Sequence, residues 1–332
     1  MMEFCLIGAG FIGPVHAANI AGHPRARLRL VVDLDRAAAE RVAGQHGADA
    51  STSLEAALAD PKLDAVVICT PPRTHAAIIE AAARAGKAIF CEKPIDLDLS
   101  KVDSCAQIVR AAGVPFFVGF NRRYDPTHRA MHDAIRKGEI GRPEMIVLSS
   151  RDPEISPPDY VKAMPYGIFY DTMIHDFDMV RWLTGEEPVE VFARTSVMLD
   201  EKTNPMRDPD TAMVTLTLAN GALVHVNSSF RAVYGYDQRI EAFGEKGMLI
   251  SRNQLPTSLE RYDASGIRHD PLHYFFIQRY AKAYADEMDD FISAIEAGRA
   301  PGIGLDDGRR ALAIAYAAME SAKTRRPIAL RL

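Results

Sequence analysis

An apolar, β-prone run, Phe4-Cys5-Leu6-Ile7, passes directly into Gly8-Ala9-Gly10-Phe11-Ile12-Gly13, and helical character follows from Val15. This is G-x-G-x-x-G between a strand and a helix, the setting in which that spacing has a mechanism. The first glycine permits a tight turn, the second lets the backbone approach a pyrophosphate, and the third lets helix and strand pack closely. The free amides and dipole of the helix start then favour the phosphates. Pro14 suits a first helical turn, because the amide it lacks would have no partner there. A second strand, residues 28–32, ends at Asp33, 20 residues after Gly13. That is the spacing of an acid that accepts hydrogen bonds from the ribose hydroxyls. A carboxylate there repels a 2′-phosphate, so the pattern predicts NAD over NADP. Arg36 pulls the other way, and Asp33 with Asp35 outweighs it.

Strand and helix patterns go on alternating. Residues 37–46 read as a helix, 64–69 as a buried strand closed by Thr70-Pro71-Pro72, and 75–85 as an Ala-rich helix stopped at Gly86. Residues 88–91 read as a strand, 100–112 as a helix and 115–119 as a last strand. Such alternation predicts a Rossmann-type, doubly wound parallel sheet over residues 1–120. Ligands bind such sheets outside the carboxyl ends of the strands. Thr70, His75 and Lys93 all fall on that edge. His75 reads as a helix-start residue beside the cofactor, without chemistry of its own. Glu92-Lys93-Pro94 stands at the end of an apolar run, where a lysine could reach a substrate oxygen, or simply close a strand-end salt bridge or sit in a solvated turn.

Composition limits the partners. Lys plus Arg is 39 and Asp plus Glu is 44, a net charge of −5, which gives no general attraction to nucleic acid or anionic lipid. No apolar run approaches the roughly 18 residues of a membrane span, and the N-terminus reads into a strand without a basic leader. The four cysteines, Cys5, Cys69, Cys91 and Cys105, lack metal-type spacing and read as small buried hydrophobes in a reducing compartment. A cytoplasmic protein is expected.

Residues 121–332 have a different pattern. Asn121-Arg122-Arg123-Tyr124-Asp125-Pro126 suits a salt-bridged crossover between domains. Period-2 alternation then dominates, most clearly at residues 214–218 and 224–227, with Asn220-Gly221 as the hairpin signal between them. Residues 145–149, 189–194, 239–243 and 248–251 are further strand candidates, residues 279–297 and 306–324 read as helices, and 327–330 as an edge strand. This predicts an α+β domain built on an open, mostly antiparallel sheet with one wet or ligand-facing side. Residues 171–183 read as one helix stopped at Thr184-Gly185. On it Asp171 and His175 are four apart and share a face. A carboxylate beside an imidazole holds its tautomer and raises its proton affinity, which suits His175 to taking a proton from an alcohol. A capping aspartate with an unrelated histidine is the plainer alternative. A metal site lacks a third ligand at diagnostic spacing, so none is expected.

The motifs G-A-G-F-I-G, C-T-P-P-R-T-H, C-E-K-P-I, G-F-N-R-R-Y-D and D-T-M-I-H-D-F-D-M follow one another in order. In these the chain resembles the glucose–fructose oxidoreductase/inositol dehydrogenase/rhizopine-catabolism (Gfo/Idh/MocA) family along nearly its whole length. Ser150-Arg151-Asp152-Pro153, the D-x-x-x-H pair and Tyr234-Gly235-Tyr236-Asp237 make it look most like the inositol dehydrogenase branch. Ala163-Met164-Pro165-Tyr166 departs from the glycine-rich approach usual there. The resemblance implies NAD-linked oxidation of a ring hydroxyl of a cyclic polyol, with myo-inositol giving 2-keto-inositol first in line. It implies a homo-oligomer, dimer or tetramer, serving inositol catabolism. It places the family's lysine on Lys93 and its Asp/His pair on Asp171 and His175, with a substrate-contacting tyrosine at Tyr234 or Tyr236.

On this reading Gly8, Gly10, Phe11, Ile12, Gly13, Asp33, Thr70, Pro71, His75, Glu92, Lys93 and Asn121 face the cofactor. Lys93, Arg123, Arg151, Asp171, His175, Tyr234 and Tyr236 face the substrate. Lys93 from the front half and His175 from the back half are expected to meet on one carbon. Another sugar or polyol oxidoreductase, one that keeps its NAD(P) tightly bound included, is the second reading. A non-enzymatic NAD and sugar sensor is the third.

Overall fold

The computed structural model describes residues 1–332. By internal contact the chain forms two units, Met1–Tyr124 with Lys282–Leu312, and Asp125–Ala281 with Ala313–Leu332. The sequence reading assigned everything after residue 120 to the second domain. Residues 282–312 instead group with the first unit, because a helix's apolar periodicity says that one face is buried but not which sheet buries it.

In the first unit the order is β1 (Met2–Ile7), α1 (Gly13–Gly22), β2 (Ala26–Val32), α2 (Arg36–His46), β3 (Asp49–Ser51), α3 (Leu54–Leu58), β4 (Ala65–Ile68), α4 (Pro72–Arg84), β5 (Ala88–Glu92), α5 (Leu99–Ala112) and β6 (Phe116–Gly119). The strands are parallel and ordered β3-β2-β1-β4-β5-β6, the doubly wound Rossmann order with its switch point between β1 and β4. Every residue of β4 and β5 is buried, as expected of strands covered on both faces. The helix boundaries follow local chemistry. Asp35 accepts from the Ala37 and Ala38 amides at the start of α2, and Gly47 ends it in the left-handed region. The short strand β3 was not legible, since Asp-Ala-Ser carries no strand signal of its own.

In the second unit the order is α6 (Pro126–Arg136), β7 (Pro143–Arg151), α7 (Pro158–Ala163), a single π-helical turn (Ile168–Met173), α8 (Ile174–Thr184), β8 (Pro188–Ser196), β9 (Thr211–Leu218), β10 (Leu223–Ser229), β11 (Asp237–Gly244), β12 (Gly247–Ser251), the hairpin β13 (Glu260–Asp263) and β14 (Gly266–His269), and α9 (Phe276–Arg279). After α10 (Ala281–Glu296), α11 (Leu305–Thr324) and β15 (Ile328–Ala329) close the chain. Seven strands form one sheet, β12-β11-β7-β10-β9-β8-β15. All pairs are antiparallel except β7 with β10, so the sheet is mixed at its centre and mostly antiparallel. Ile146, Leu148, Val224, Val226, Val214 and Leu216 are buried on one face, where α6, α8 and the π turn pack.

The expected crossover at residues 121–126 holds the boundary between the units, which falls between Tyr124 and Asp125; Asp125 also accepts from the Thr127 and His128 amides and starts α6, with Pro126 in its first turn. Asp followed by Pro was the start signal. Residues 171–183 are not one α-helix: residues up to Met173 lie in the π turn, and α8 proper begins at Ile174. Gly185 ends α8 in the left-handed region as expected.

Candidate active site

The glycine turn is built as a cradle for a dinucleotide phosphate. Gly8 has φ +101°, and a Cβ there would sit 2.7 Å from the Cys69 carbonyl carbon and the Thr70 amide. At Gly13 a Cβ would sit 2.2 Å from the Gly8 oxygen. Above Gly10 there is open space, which is what backbone approach to a pyrophosphate needs. Asp33 closes the turn: its Oδ2 accepts from the Ala9 amide at 2.7 Å and its Oδ1 from the Asp35 amide at 2.9 Å. Arg36 is paired with Glu40 one turn on. Phe11 is 66% exposed, standing out from the turn. These residues fit NAD: the turn amides could take its phosphates, and Asp33 keeps acceptor capacity for its ribose hydroxyls.

Thr70 and Pro71 follow β4, and His75 lies in the first turn of α4. His75 is buried. Its Nδ1 lies 2.8 Å from the Pro94 oxygen and its Nε2 2.6 Å from the Thr70 oxygen. Burial lowers its pKa against the pull of both carbonyls, and a neutral ring, with one N–H, donates to only one of them at a time, either in the turn after β5 or at the end of β4. Lys93 follows β5 directly, at the carboxyl end of the sheet. The Glu92 carboxylate beside it turns inward: Oε1 accepts from His16 Nε2 at 2.7 Å and Oε2 from the Lys93 amide at 3.2 Å. His16 carried no signal in the sequence beyond one polar residue in an apolar helix. Asn121 is buried in the 3-10 turn after β6. Arg123 is buried too, its Nη2 donating to Asp307 Oδ1 at 2.8 Å.

In the second unit Asp171 lies in the π turn and His175 in the first turn of α8. Both are half-buried, and Tyr160 donates its hydroxyl to Asp171 Oδ2 at 3.1 Å. The neighbouring acids do other work. Asp176 is buried and accepts from Ser150 Oγ at 2.5 Å, and buried Asp178 lies 4.0 Å from Arg181. Asp176 ties α8 to β7, whereas Asp178 pairs within its own helix. The segment before the dyad is pinned at Tyr166, whose amide donates to both Asp208 oxygens, at 2.9 and 3.0 Å.

Arg151, at the end of β7, donates to Asn227 Oδ1 from Nε (3.1 Å) and Nη2 (2.6 Å), and to the Tyr234 oxygen from Nη1 (3.1 Å). Tyr234 donates to Asp237 Oδ2 at 2.7 Å. Burial works against the Asp237 charge, but Arg239, Tyr234 and Asn253 outweigh it and hold the carboxyl below its ordinary range. The two candidate tyrosines differ in surroundings. Tyr234 is 49% exposed, whereas Tyr236 is 5% exposed among the rings of Phe275, Phe276 and Tyr280. All four cysteines are buried free thiols, and burial pushes Cys5 and Cys105 up to about 12.

Residues 2–120 match the oxidoreductase family with an NAD-binding Rossmann fold, and residues 128–250 match the GFO/IDH/MocA C-terminal domain. The chain is 48% identical over 329 residues to the inositol 2-dehydrogenase of Rhizobium meliloti (strain 1021), covering 99% of each. A crystal structure of a myo-inositol dehydrogenase from Corynebacterium glutamicum has a TM-score of 0.94 at 38% identity, covering 100% of this chain and 99% of that one. One from Lactobacillus casei, in complex with NAD(H) and myo-inositol, has a TM-score of 0.91 at 26% identity, covering 100% and 97%. With both halves matched in order and the glycine cradle and strand-end lysine in place, the chain belongs to the Gfo/Idh/MocA family of NAD-binding oxidoreductases.

Proposed function

We propose that this protein is an NAD-dependent inositol 2-dehydrogenase, oxidising a ring hydroxyl of myo-inositol to the 2-ketone. The observation that carries this reading is the 48% identity to an inositol 2-dehydrogenase over 99% of both chains. NAD, when bound, supplies the hydride acceptor. The cofactor is held by Gly8, Gly10, Phe11, Ile12, Gly13 and Asp33, with Thr70, Pro71 and Asn121 along the strand ends. Lys93 donates a hydrogen bond to the reacting hydroxyl oxygen and offsets the alkoxide charge that develops there. His175 takes the hydroxyl proton as general base. Asp171 orients the imidazole and stabilises its protonated form. Tyr234 and Arg151 hold other hydroxyls of the polyol; the exposure of Tyr234 favours it over Tyr236.

The further reading is of a cytoplasmic homotetramer working in inositol catabolism. Its four cysteines are free thiols. On the outer face of the second sheet, register places Met248, Phe243, Met145 and Leu223 in one row, and each is exposed. An apolar row of this kind suits a partner copy.

The test follows NADH absorbance across a panel of inositols and aldoses. Myo-inositol should give the highest kcat/KM. Replacing His175 with Ala should lower turnover by about 10²–10⁴ while NAD still binds. Turnover near that of the native protein in His175→Ala would remove the base assignment. A preference for an aldose would move the substrate to the wider sugar class.

A further inference from the structure

Three buried titratable groups in the first unit take no part in the chemistry above. His16 lies on α1, directly behind the glycine turn; Glu92 ends β5; Glu287 lies on α10. His16 and Glu287 are fully buried and Glu92 is 7% exposed. The box around them is apolar: the His16 ring stands edge-on to Phe90 at 5.0 Å and to Tyr284 at 5.7 Å. One polar atom from each of the three lies within 4.8 Å of the other two. Both oxygens of Glu287 and Nδ1 of His16 have no hydrogen-bond partner on the protein.

We propose that His16, Glu92 and a neutral Glu287 form one buried network that fixes the backbone at Lys93 against helix α1, making all three positioning residues for the reaction. The connection is direct. The Glu92 carboxylate bridges His16 Nε2 and the Lys93 amide, so it ties the lysine's backbone to the helix whose start receives the cofactor phosphates. Gly119 on β6 keeps the carboxylate there, since a Cβ at that position would lie 3.3 Å from Glu92 Cδ.

The groups facing Glu287 are Glu92, His16 and the Cys69 thiol. Burial first, and the Glu92 charge second, raise its pKa well above the ordinary carboxyl range. A protonated Glu287 is a donor next to an acceptor-only carboxylate, which is the complement Glu92 lacks. A divalent cation is the rival occupant of the same three ligands. His16 and Glu92 stand 2.7 Å apart, a hydrogen-bond length and shorter than the roughly 3.3 Å between two ligands of a tetrahedral cation held at about 2.0 Å.

The sign of the pH effect follows. A carboxyl whose folded pKa is raised contributes stability below its unfolded pKa and loses it as pH rises. Unfolding of the native protein and of Glu287→Gln is therefore compared from pH 5 to 8. The ratio of their unfolding constants should move against the native protein by up to about tenfold per pH unit. Parallel pH dependences, or a stoichiometric divalent metal in the purified protein, would overturn the neutral Glu287.

The positioning role rests on the reading that Lys93 acts on substrate, and is tested by a separate readout. Glu92→Ala should lower kcat by about 10², the cost of displacing a catalytic group by roughly 1 Å, with the KM for NAD changed less than about threefold. Glu92→Gln should recover most of the loss, and Gly119→Ala, which only nudges the carboxylate, should fall between. Native kcat in Glu92→Ala and Gly119→Ala would overturn the network's role. Native kcat in Lys93→Met would instead overturn the lysine reading, leaving the pH result standing.

Discussion

The two sheets of this molecule are built from similar residues and put to opposite uses. In the first, β4 reads Ala65-Val66-Val67-Ile68 and every side chain is fully buried, whichever way it points. In the second, neighbours on one strand have different fates: on β7, Leu148 is 1% exposed and Val147 is 37% exposed. Helices on both faces leave the parallel sheet with edges at its strand ends as the place for a ligand. Helices on one face leave the mixed sheet a broad open side, which suits a partner. The difference shows that hydrophobicity in a strand fixes burial only when both faces are covered.

Substitutions along single strands would break or sharpen this contrast. The largest effect is expected at Leu148→Ala, which should cost about 2–5 kcal/mol of stability, against about 0.5 kcal/mol or less for Val147→Ala next to it, both read from denaturant unfolding. In the first sheet the same alternation should vanish: Val66→Ala and Val67→Ala should each cost about 2 kcal/mol. A clear gap between those two would mean one face of that sheet is less covered than it looks. If the proposed homotetramer forms through the open row, Leu223→Lys should leave the circular dichroism spectrum unchanged and shift sedimentation toward smaller species, and unchanged sedimentation would remove that row as the interface. The last substitution, Asp33→Ala, is read in cofactor choice rather than in stability, since Asp33 also holds the glycine turn through the Ala9 amide. There the ratio of kcat/KM for NAD over NADP should fall, because the carboxylate that repels a 2′-phosphate is gone.

Much of the first sheet was legible because its signals are local. Strand, glycine turn, helix and distal acid fall within the first 33 residues, and each step constrains the next. The second unit was legible as strands, since period 2 marks a half-buried sheet, but not as an order. Nothing in residues 145–149 says that β7 lies between β10 and β11, parallel to one and antiparallel to the other. The exposed hairpin β13–β14 was also missed, because its apolar residues, Tyr262 and Ile267, stay in solvent.

Among site residues, Lys93, Asp171 and His175 were marked by motif, and they stand at a strand end, in a π turn and at a helix start. His16 and Glu287 were not marked. A histidine in an apolar helix and a glutamate in an amphipathic one gain meaning only when folding brings them to the same buried carboxylate.

The sequence by itself determined most of the elements, the glycine turn and the candidates for chemistry, because dihedral preference, capping and periodicity act over a few residues. Only the tertiary structure decided which sheet α10 covers, which face of the second sheet stays open, and that Glu92 turns inward to His16 rather than outward. Those outcomes depend on contacts between residues far apart in the chain, where burial sets the cost of a charge and leaves local sequence no vote.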